Sequence, residues 1–206
     1  MQRESSWRGA PILSVESAVG RGPFAILVFT ALSARTRDET TIRAGKRLLS
    51  KAPSPEKLSR LPVPQIRKLI YPVGFYRTKA RHLHSLACRL IFVFGGRVPS
   101  DFKSLTSLPG VGAKTANIVL ASAFGKDTIG ADTHVHRISN RLGLVKTKSP
   151  EKTGDALGRI IPDKYKRKLN MAMVAFGQTV CTPLRPKCSE CPLTKACPKI
   201  GVINPR

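Results

Sequence analysis

The amino-acid sequence predicts an all-α protein. Apolar residues recur at three- and four-residue steps over several long stretches, whereas the alternation typical of a half-buried strand is scarce. Two serine–proline–glutamate triplets mark helix starts. With 206 residues, of which 41% are hydrophobic and 23% charged, the chain is long enough to bury the core of one large domain or two small ones.

The predicted helices begin and end at residues with known terminal preferences. A proline opens an apolar helix over residues 23–32, and its apolar surface on every side is typical of a central core helix. The triplets at residues 54–56 and 149–151 each supply an N-cap serine, a proline at the first position and an acid in the first turn. Periodic apolar residues predict a helix over residues 79–94, and a last helix is expected at about 166–177.

The charge balance indicates an anionic partner. There are 36 Lys and Arg residues against 12 Asp and Glu, which gives a net charge of +24. Such a surface attracts polyanions, nucleic acid first and an anionic membrane second. No apolar run approaches the roughly 20 residues that span a bilayer, and residues 1–20 are interpreted as a surface helix without a secretory signal. We therefore expect a protein of a reducing compartment: cytoplasmic and nucleoid-associated, or nuclear in a eukaryote.

Four cysteines in the proline-rich C-terminal segment form the most informative pattern. Cys181, Cys188, Cys191 and Cys197 are separated by six, two and five residues. Disulfides are disfavoured in a reducing compartment, whereas four thiolates around an inorganic centre can order a loop-rich backbone. The spacing favours a [4Fe–4S] cluster over zinc, because zinc sites usually combine two close cysteine pairs. The fifth cysteine, Cys88, lies near an apolar helix face and is interpreted as a small buried residue.

A glycine-rich string at residues 108–116, Leu-Pro-Gly-Val-Gly-Ala-Lys-Thr-Ala, joins two helical stretches. Gly110, Val111 and Gly112 are expected to form a hairpin so tight that backbone N–H groups and the start of the next helix face outward, a geometry that binds phosphate. A plain turn between helices is the alternative. The apolar stripe of the following helix lies nearly opposite Lys114, so this lysine is expected to project from the first turn, as a solvated or a functional side chain.

An acidic residue follows this helix after a turn-rich stretch, residues 125–131, which we interpret as a passage between two lobes. Asp132 precedes a helical run and suits an N-cap. A carboxylate at such a position can also stabilise developing positive charge and help to take a proton from an amine. Because the chain has only 12 acids, one that lies between two basic elements is a candidate functional residue.

Three motifs together resemble the endonuclease III family of helix-hairpin-helix DNA glycosylases. They are the string at 108–117, the segment at 132–137 and the spacing of the four cysteines, and the resemblance extends from about residue 24 to 197. It implies two helical lobes with a DNA-binding cleft between them. One lobe is a six-helix bundle of residues 16–126, with the helix-hairpin-helix at about 100–124. The other combines residues 1–15 and 127–206 and contains the iron–sulfur cluster loop at 181–197.

The resemblance also implies an activity. The chain would be a base-excision repair DNA glycosylase with associated AP lyase activity, acting as a monomer on double-stranded DNA that contains a damaged pyrimidine or an abasic site. Lys114 matches the family's nucleophile, and Asp132 its carboxylate, which serves electrostatically and as proton acceptor. Two alternatives remain: a mismatch-specific glycosylase for T/G or U/G pairs, and a non-catalytic iron–sulfur DNA-binding protein.

Further DNA contacts are implied with less detail. Phe75 matches a loop whose apolar side chain fills the gap left by an extruded base, although a buried core aromatic is the alternative. Arg35 stands where the family usually has glutamine, and arginine favours hydrogen bonds to guanine. Arg185 and Lys187 resemble phosphate contacts of a loop that the cluster orders, and His134 is a candidate for the lining of the damaged-base pocket.

Overall fold

The computed structural model describes residues 22–206, apart from the side chain of Arg167. Within these residues the regular secondary structure is helical and contains no strand, which confirms the all-α prediction. The helices are α1 Pro23–Ser33, α2 Asp38–Lys51, α3 Pro55–Ser59, α4 Val63–Ile70, α5 Tyr76–Phe94, α6 Phe102–Thr106, α7 Ala113–Phe124, α8 Thr133–Arg141, α9 Pro150–Ile160 and α10 Asp163–Thr179. The surface helix predicted within residues 1–20 lies outside the described residues.

The chain divides into two compact units. Of the described residues, 22–126 with α1 to α7 form one unit, which we call the bundle unit. Residues 127–206, with α8 to α10 and a C-terminal segment without helix, form the other, which we call the cysteine unit. The predicted domain limits stay a prediction, because they also assign residues 1–15, which lie outside the described residues.

The bundle unit is organised around α1. Val28 and Leu32 pack into an apolar cluster with α2, α4 and α5, whereas Leu27 packs into a second cluster with α5, the hairpin and α7. All three side chains are fully buried. A helix that contributes to apolar clusters on two sides must itself be apolar all round, as the sequence predicts for a central core helix.

The helix termini follow the predicted chemistry closely. Ser54 and Ser149 are N-caps whose hydroxyl oxygens accept hydrogen bonds from the backbone N–H of the third residue on, each at 3.4 Å. The helix expected from residue 79 begins three residues earlier, at Tyr76, and ends before Gly95 in the left-handed conformation (φ 57°). The last helix begins three residues earlier than expected, because Asp163, Lys164 and Tyr165 are polar or exposed and carry little apolar signal, and it ends two residues later, at Thr179.

The cysteine unit has a smaller apolar core, which positions α8. Val135 and Ile138 of α8 pack with Leu157 of α9, Met173 of α10 and the preceding residue Ile129. The segment from residue 181 onward has no helix and is composed of turns and extended stretches. No helix among residues 22–206 is long and apolar enough to cross a membrane.

Candidate active site and cysteine loop

The glycine-rich hairpin has the tight geometry that the sequence predicts. Gly110 adopts the left-handed conformation (φ 78°), and a Cβ at this position would lie 2.8 Å from Nδ1 of His82. Any other residue would therefore be strained and crowded. Val111 anchors the turn, because its side chain is buried and its N–H donates to the carbonyl of Leu108 at 3.1 Å. Gly112 is the N-cap of α7 and has no side chain to occupy the first N–H groups of that helix.

Lys114 lies in the first turn of α7 and is exposed. The buried face of this helix is formed by Ala116, Val119 and Leu120, so the lysine projects away from the apolar cluster, as the periodicity predicts. The first turn contains no acidic residue. The helix dipole gives the start of α7 a partial positive charge, which suits an anion such as a phosphate.

Asp132 is the N-cap of α8. One carboxylate oxygen, Oδ1, accepts hydrogen bonds from the backbone N–H groups of His134 at 2.8 Å and Val135 at 3.0 Å. The side chain is half-buried. These two bonds confirm the N-cap interpretation and fix the carboxylate at the start of the helix. Asp132 belongs to the cysteine unit and Lys114 to the bundle unit.

Phe75 and Arg35 lie on two neighbouring loops of the bundle unit. Phe75 is 62% exposed, so the alternative of a buried core aromatic is wrong. Both residues adopt the left-handed conformation, with φ of 53° for Arg35 and 58° for Phe75. The guanidinium carbon of Arg35 lies 5.6 Å from the centre of the Phe75 ring, within the range of a cation–π interaction.

His134 is held within the cysteine unit. Its Nδ1 lies 3.2 Å from a guanidinium nitrogen of Arg137, and its ring packs against Gly177 of α10, where a Cβ would approach Nδ1 to 2.6 Å. This packing accounts for the glycine at position 177. The assignment of His134 to a base pocket stays a prediction.

The four C-terminal cysteines line one cavity. The space that they share with apolar side chains is about 410 Å³ including its opening to solvent, and all four sulfurs belong to half-buried residues. Burial raises the pKa of the Cys191 thiol, and the charges of its three cysteine neighbours act in the same direction. Within residues 22–206, no group of three or more His, Cys, Asp or Glu side chains is arranged to hold a single metal ion. A cluster presents several metal atoms, so its ligands need not converge on one point.

Hydrogen-bond donors are directed at the cysteine sulfurs. Backbone N–H groups two residues after Cys191 and Cys197 donate to the respective sulfurs at 3.4 Å, and the guanidinium of Arg141 donates to the sulfur of Cys181 at 3.4 Å. Donors in this arrangement stabilise negative charge on sulfur, which is the form in which cysteine binds iron. The cavity and these donors fit an iron–sulfur cluster.

Two arginines that sequence reasoning missed hold the start of residues 181–197, which we call the cysteine loop. Arg141, only 8% exposed, donates to the carbonyls of Thr182 at 2.7 Å and Pro183 at 2.6 Å. Arg137 donates to the carbonyl of Cys181 at 2.7 Å. Burial lowers the pKa of the Arg137 guanidinium, although an arginine remains charged at any physiological pH. Their spacing of four residues on α8, which places both on one helix face, is the signal that could have revealed them.

Arg185 and Lys187 line a surface depression together with Arg206. The backbone of Arg206 is fixed there by two hydrogen bonds of 2.8 Å, one from its N–H to the carbonyl of Pro186 and one from the N–H of Ser189 to its carbonyl. Three cations at one depression suit a phosphate group. Arg206 was not predicted, because its sequence distance from the loop hides this pairing.

Cys88 belongs to the bundle unit. It is half-buried, whereas the sequence predicted a buried residue, and its sulfur lies 3.9 Å from Nδ1 of His84. The difference arises because Cys88 lies at the margin of the buried face of α5, which Leu83, Leu86 and Leu90 occupy.

The helical bundle and the hairpin define a class of DNA repair protein. Residues 28–163 match the family model described as HhH-GPD superfamily base excision DNA repair protein. The endonuclease III of Thermotoga maritima is 45% identical over 175 residues, which cover 85% of this chain and 82% of the relative. The endonuclease III of Bacillus subtilis is 38% identical, with 87% of this chain and 82% of the relative covered.

Solved structures give the same result. A structure of a trapped endonuclease III–DNA covalent intermediate has a TM-score of 0.84 at 37% identity, and the match covers 88% of this chain and 85% of that one. A thermostable thymine-DNA glycosylase has a TM-score of 0.81 at 27% identity, with 92% and 93% covered. The chain belongs to the endonuclease III family within the HhH-GPD superfamily, as the three sequence motifs indicate.

Proposed function

We propose that this protein excises damaged bases from double-stranded DNA and then cleaves the abasic site through a lysine-linked intermediate. The observation that carries the proposal is the exposed position of Lys114, in the first turn of α7 directly after the hairpin. An amine at this place can reach a sugar whose phosphate binds the N–H groups of the same turn. The structure of a trapped covalent intermediate of a 37% identical endonuclease III supports it.

The reaction begins with the extrusion of the damaged nucleotide, because a stacked base shields its glycosidic bond. The amine of Lys114 forms a bond to C1′ while the glycosidic bond breaks and the base departs with the electron pair. Opening of the sugar ring gives a Schiff base between the lysine and C1′. A proton then leaves C2′, the C3′–O bond breaks and the 3′ phosphate is released.

Asp132 serves this reaction as a charge partner and proton acceptor. The carboxylate stabilises positive charge that develops on the sugar as the base leaves, and it accepts the proton that the attacking amine loses. Its capping bonds to the N–H groups of His134 and Val135 hold it in one orientation. A fixed carboxylate needs no reorganisation when the charge appears, which is the usual advantage of such groups.

DNA binding is distributed over both units and is mainly electrostatic. The turn at Gly110 and Gly112 binds one phosphate through backbone N–H groups, and Arg185 and Lys187 bind others. Phe75 fills the space of the extruded base, and Arg35 contacts the opposite strand. The net charge of +24 provides the attraction that does not depend on sequence.

The four cysteines at positions 181, 188, 191 and 197 hold a [4Fe–4S] cluster in this proposal. The cluster, when bound, supplies structural order to the loop and takes no part in the reaction at the sugar. The donors directed at three of the sulfurs support this assignment. The proposed location is the cytoplasm, with the nucleoid, or the nucleus if the chain is eukaryotic.

Oxidised pyrimidines are the proposed substrates, and a mismatched thymine is the second candidate. The likeness to a thermostable thymine-DNA glycosylase favours the mismatch activity. Arg35 favours it too, because arginine recognises guanine, the partner of a mismatched thymine. A panel of duplexes, each with one lesion or mismatch, separates the two: the substrate with the highest single-turnover excision rate identifies the function.

Borohydride trapping tests the lysine chemistry. Reduction of the Schiff base links wild-type protein covalently to a duplex with an abasic site, and we expect Lys114→Gln to abolish this adduct because its amide cannot form an imine. Lys57→Gln removes the same charge from an exposed position on α3 and serves as the control. If wild type gave no adduct, or Lys114→Gln still gave one, the proposed nucleophile would be wrong.

A further inference from the structure

Two loops of the bundle unit meet directly. The first, which we call the arginine loop, comprises residues 34–37 between α1 and α2; the second, the phenylalanine loop, comprises residues 71–75 between α4 and α5. The N–H of Gly74 donates to the hydroxyl oxygen of Thr36 at 3.1 Å. A Cβ at position 74 would overlap the carbonyl oxygen of Arg35, so the glycine permits this close approach.

Lys79, near the start of α5, donates hydrogen bonds to the end of α1 and to the arginine loop. Its Nζ lies 2.7 Å from the carbonyl oxygen of Leu32, 2.6 Å from that of Ala34 and 3.3 Å from the hydroxyl oxygen of Thr36. A protonated lysine has three N–H donors, and each has an acceptor here. Two of these acceptors are carbonyls at the C-terminal end of α1, where a cation is favoured by the helix dipole.

Thr36 links the lysine to the phenylalanine loop. Its hydroxyl oxygen accepts from Lys79 and from the N–H of Gly74, and it lies 3.3 Å from the carbonyl of Ala34, to which it donates. A hydroxyl has one donor and two acceptor positions, so all of its hydrogen-bonding capacity is used. Lys79 and Thr36 therefore form one continuous connection between the two loops.

The two residues that this connection supports are held in an uncommon conformation. Arg35 and Phe75 both have positive φ, which non-glycine residues rarely adopt, and both side chains are exposed. Such conformations persist where the surroundings determine them and are frequent at ligand-binding sites. The stacking of the Arg35 guanidinium on the Phe75 ring makes the two side chains a single exposed group.

Partial burial of the Lys79 amine would be unfavourable without its three acceptor oxygens. The environment lowers the pKa of Lys79 to about 8, and desolvation is the cause. At neutral pH the amine still carries its proton and can donate to all three acceptors. An apolar side chain would avoid the desolvation, so the presence of a lysine at this position indicates that its hydrogen bonds are needed.

We infer that Lys79 is a positioning residue that holds the arginine and phenylalanine loops together, so that Arg35 and Phe75 enter the duplex as one unit. The inference rests on the proposed function, in which these side chains replace the extruded base and contact the opposite strand. Base extrusion from a duplex depends on this unit. Cleavage of an abasic site in single-stranded DNA does not, since there is neither a base to extrude nor an opposite strand.

The experiment compares these two substrates. Lys79→Met keeps the length of the side chain and removes its donors, and Thr36→Val removes the hydroxyl while Thr36→Ser retains it. Lys68→Met, at an exposed position on α4, removes a charge without disturbing the loops and is the control. Single-turnover excision is measured on a duplex with one oxidised pyrimidine opposite guanine, and borohydride trapping on a single-stranded abasic oligonucleotide.

We expect Lys79→Met to lower duplex excision about tenfold or more, the order of effect that displaced positioning groups produce, and to leave single-stranded trapping near the wild-type level. Thr36→Val should show the same selectivity, and Thr36→Ser should restore duplex excision. A 2-aminopurine placed beside the lesion should report reduced extrusion in the two defective variants. Should Lys79→Met fold poorly, as its melting temperature would reveal, the Thr36 pair decides the question.

Wild-type duplex excision by both Lys79→Met and Thr36→Val would overturn the inference. Equal losses on the two substrates would overturn it as well, since they would indicate a general structural defect. Failure of the wild-type protein on both substrates would instead refute the proposed function, and the inference with it.

Discussion

The bundle unit and the cysteine unit are stabilised in different ways. The bundle unit buries two apolar clusters on either side of α1. In the cysteine unit the apolar cluster is limited to α8, α9, α10 and their neighbours, and the segment after residue 181 depends on arginine side chains and cysteines. Burial of apolar surface thus specifies one unit, whereas the end of the other depends on polar anchors and, in the proposed function, on a metal centre.

This difference indicates that the segment after residue 181 requires more than apolar burial to become ordered. A segment rich in proline and basic residues cannot gain enough from apolar burial to offset the entropy of ordering its backbone. Four thiolates bound to one centre, as proposed, would restrict that segment at four points and would couple metal binding to folding there. The bundle unit has no such requirement, and loss of the metal should leave it folded.

The largest expected effect concerns Cys188. Cys188→Ser should abolish iron binding and the brown colour, and should make the segment after residue 181 susceptible to proteolysis, because three ligands hold the centre poorly. Iron analysis, the visible absorbance spectrum and limited proteolysis with mass spectrometry measure these changes. Residues 22–126 should remain resistant.

Cys88→Ser is the matched control for this substitution, since Cys88 lies on α5 in the bundle unit and does not line the cavity of the other four cysteines. It should retain the full iron content. Iron loss in the Cys88 variant, or a colourless zinc protein in the wild type, would contradict the cluster assignment.

A smaller effect is expected from the apolar core of the bundle unit. Leu90 is fully buried in the second cluster, so Leu90→Ala should lower the free energy of unfolding by about 3 kcal/mol through lost burial and a cavity. Phe92, on the same helix, is 86% exposed, and Phe92→Ala should change it by less than about 0.5 kcal/mol. Chemical denaturation measures both values.

The iron content of Leu90→Ala tests whether the two units fold independently. Leu90→Ala should keep its iron under native conditions, because the destabilised cluster of side chains belongs to the other unit. Loss of iron in proportion to the loss of stability would show that the two units do not fold independently, and the comparison would fail.

At Asp132 the expected effect on stability is smaller than that of Leu90→Ala. Asp132→Ala removes the N-cap of α8 and should cost about 1 kcal/mol, whereas Asp132→Asn keeps a capping oxygen and should cost much less. Both variants should excise bases slowly, since neither supplies a carboxylate. An active Asp132→Asn protein would show that capping, rather than charge, is the function of this residue.

Sequence patterns predicted the elements whose signals are local. The core helix α1, the serine caps and the hairpin at Gly110 each follow from residues close together in the chain. Helix α2 was missed because its buried face consists of Thr41, Ala44, Gly45 and Leu48, a weakly apolar set that periodicity does not detect.

The sequence did not predict the roles of Arg141 and Lys79, which fix two loops by hydrogen bonds, for a different reason. Arg141 contacts carbonyls 41 and 42 positions away, and Lys79 contacts carbonyls 47 and 45 positions away. Contacts with backbone atoms leave no pattern in side-chain type, because any residue offers the same carbonyl. The cysteines, in contrast, could be found since their spacing and chemistry belong to one short segment.

Helix α8 has a functional residue at each end. It has nine residues, a length of about 13 Å. Asp132 caps its start, and Arg141 at its end donates hydrogen bonds to the carbonyls of Thr182 and Pro183 in the loop. The carbonyl of Arg141 also accepts a hydrogen bond of 3.2 Å from the N–H of Ile200, so both flanks of the loop are attached to this helix end. A helix of this length behaves as a short rod. Because Val135 and Ile138 hold the middle of this helix in the apolar core, the capped carboxylate and the start of the loop are both fixed to one buried element.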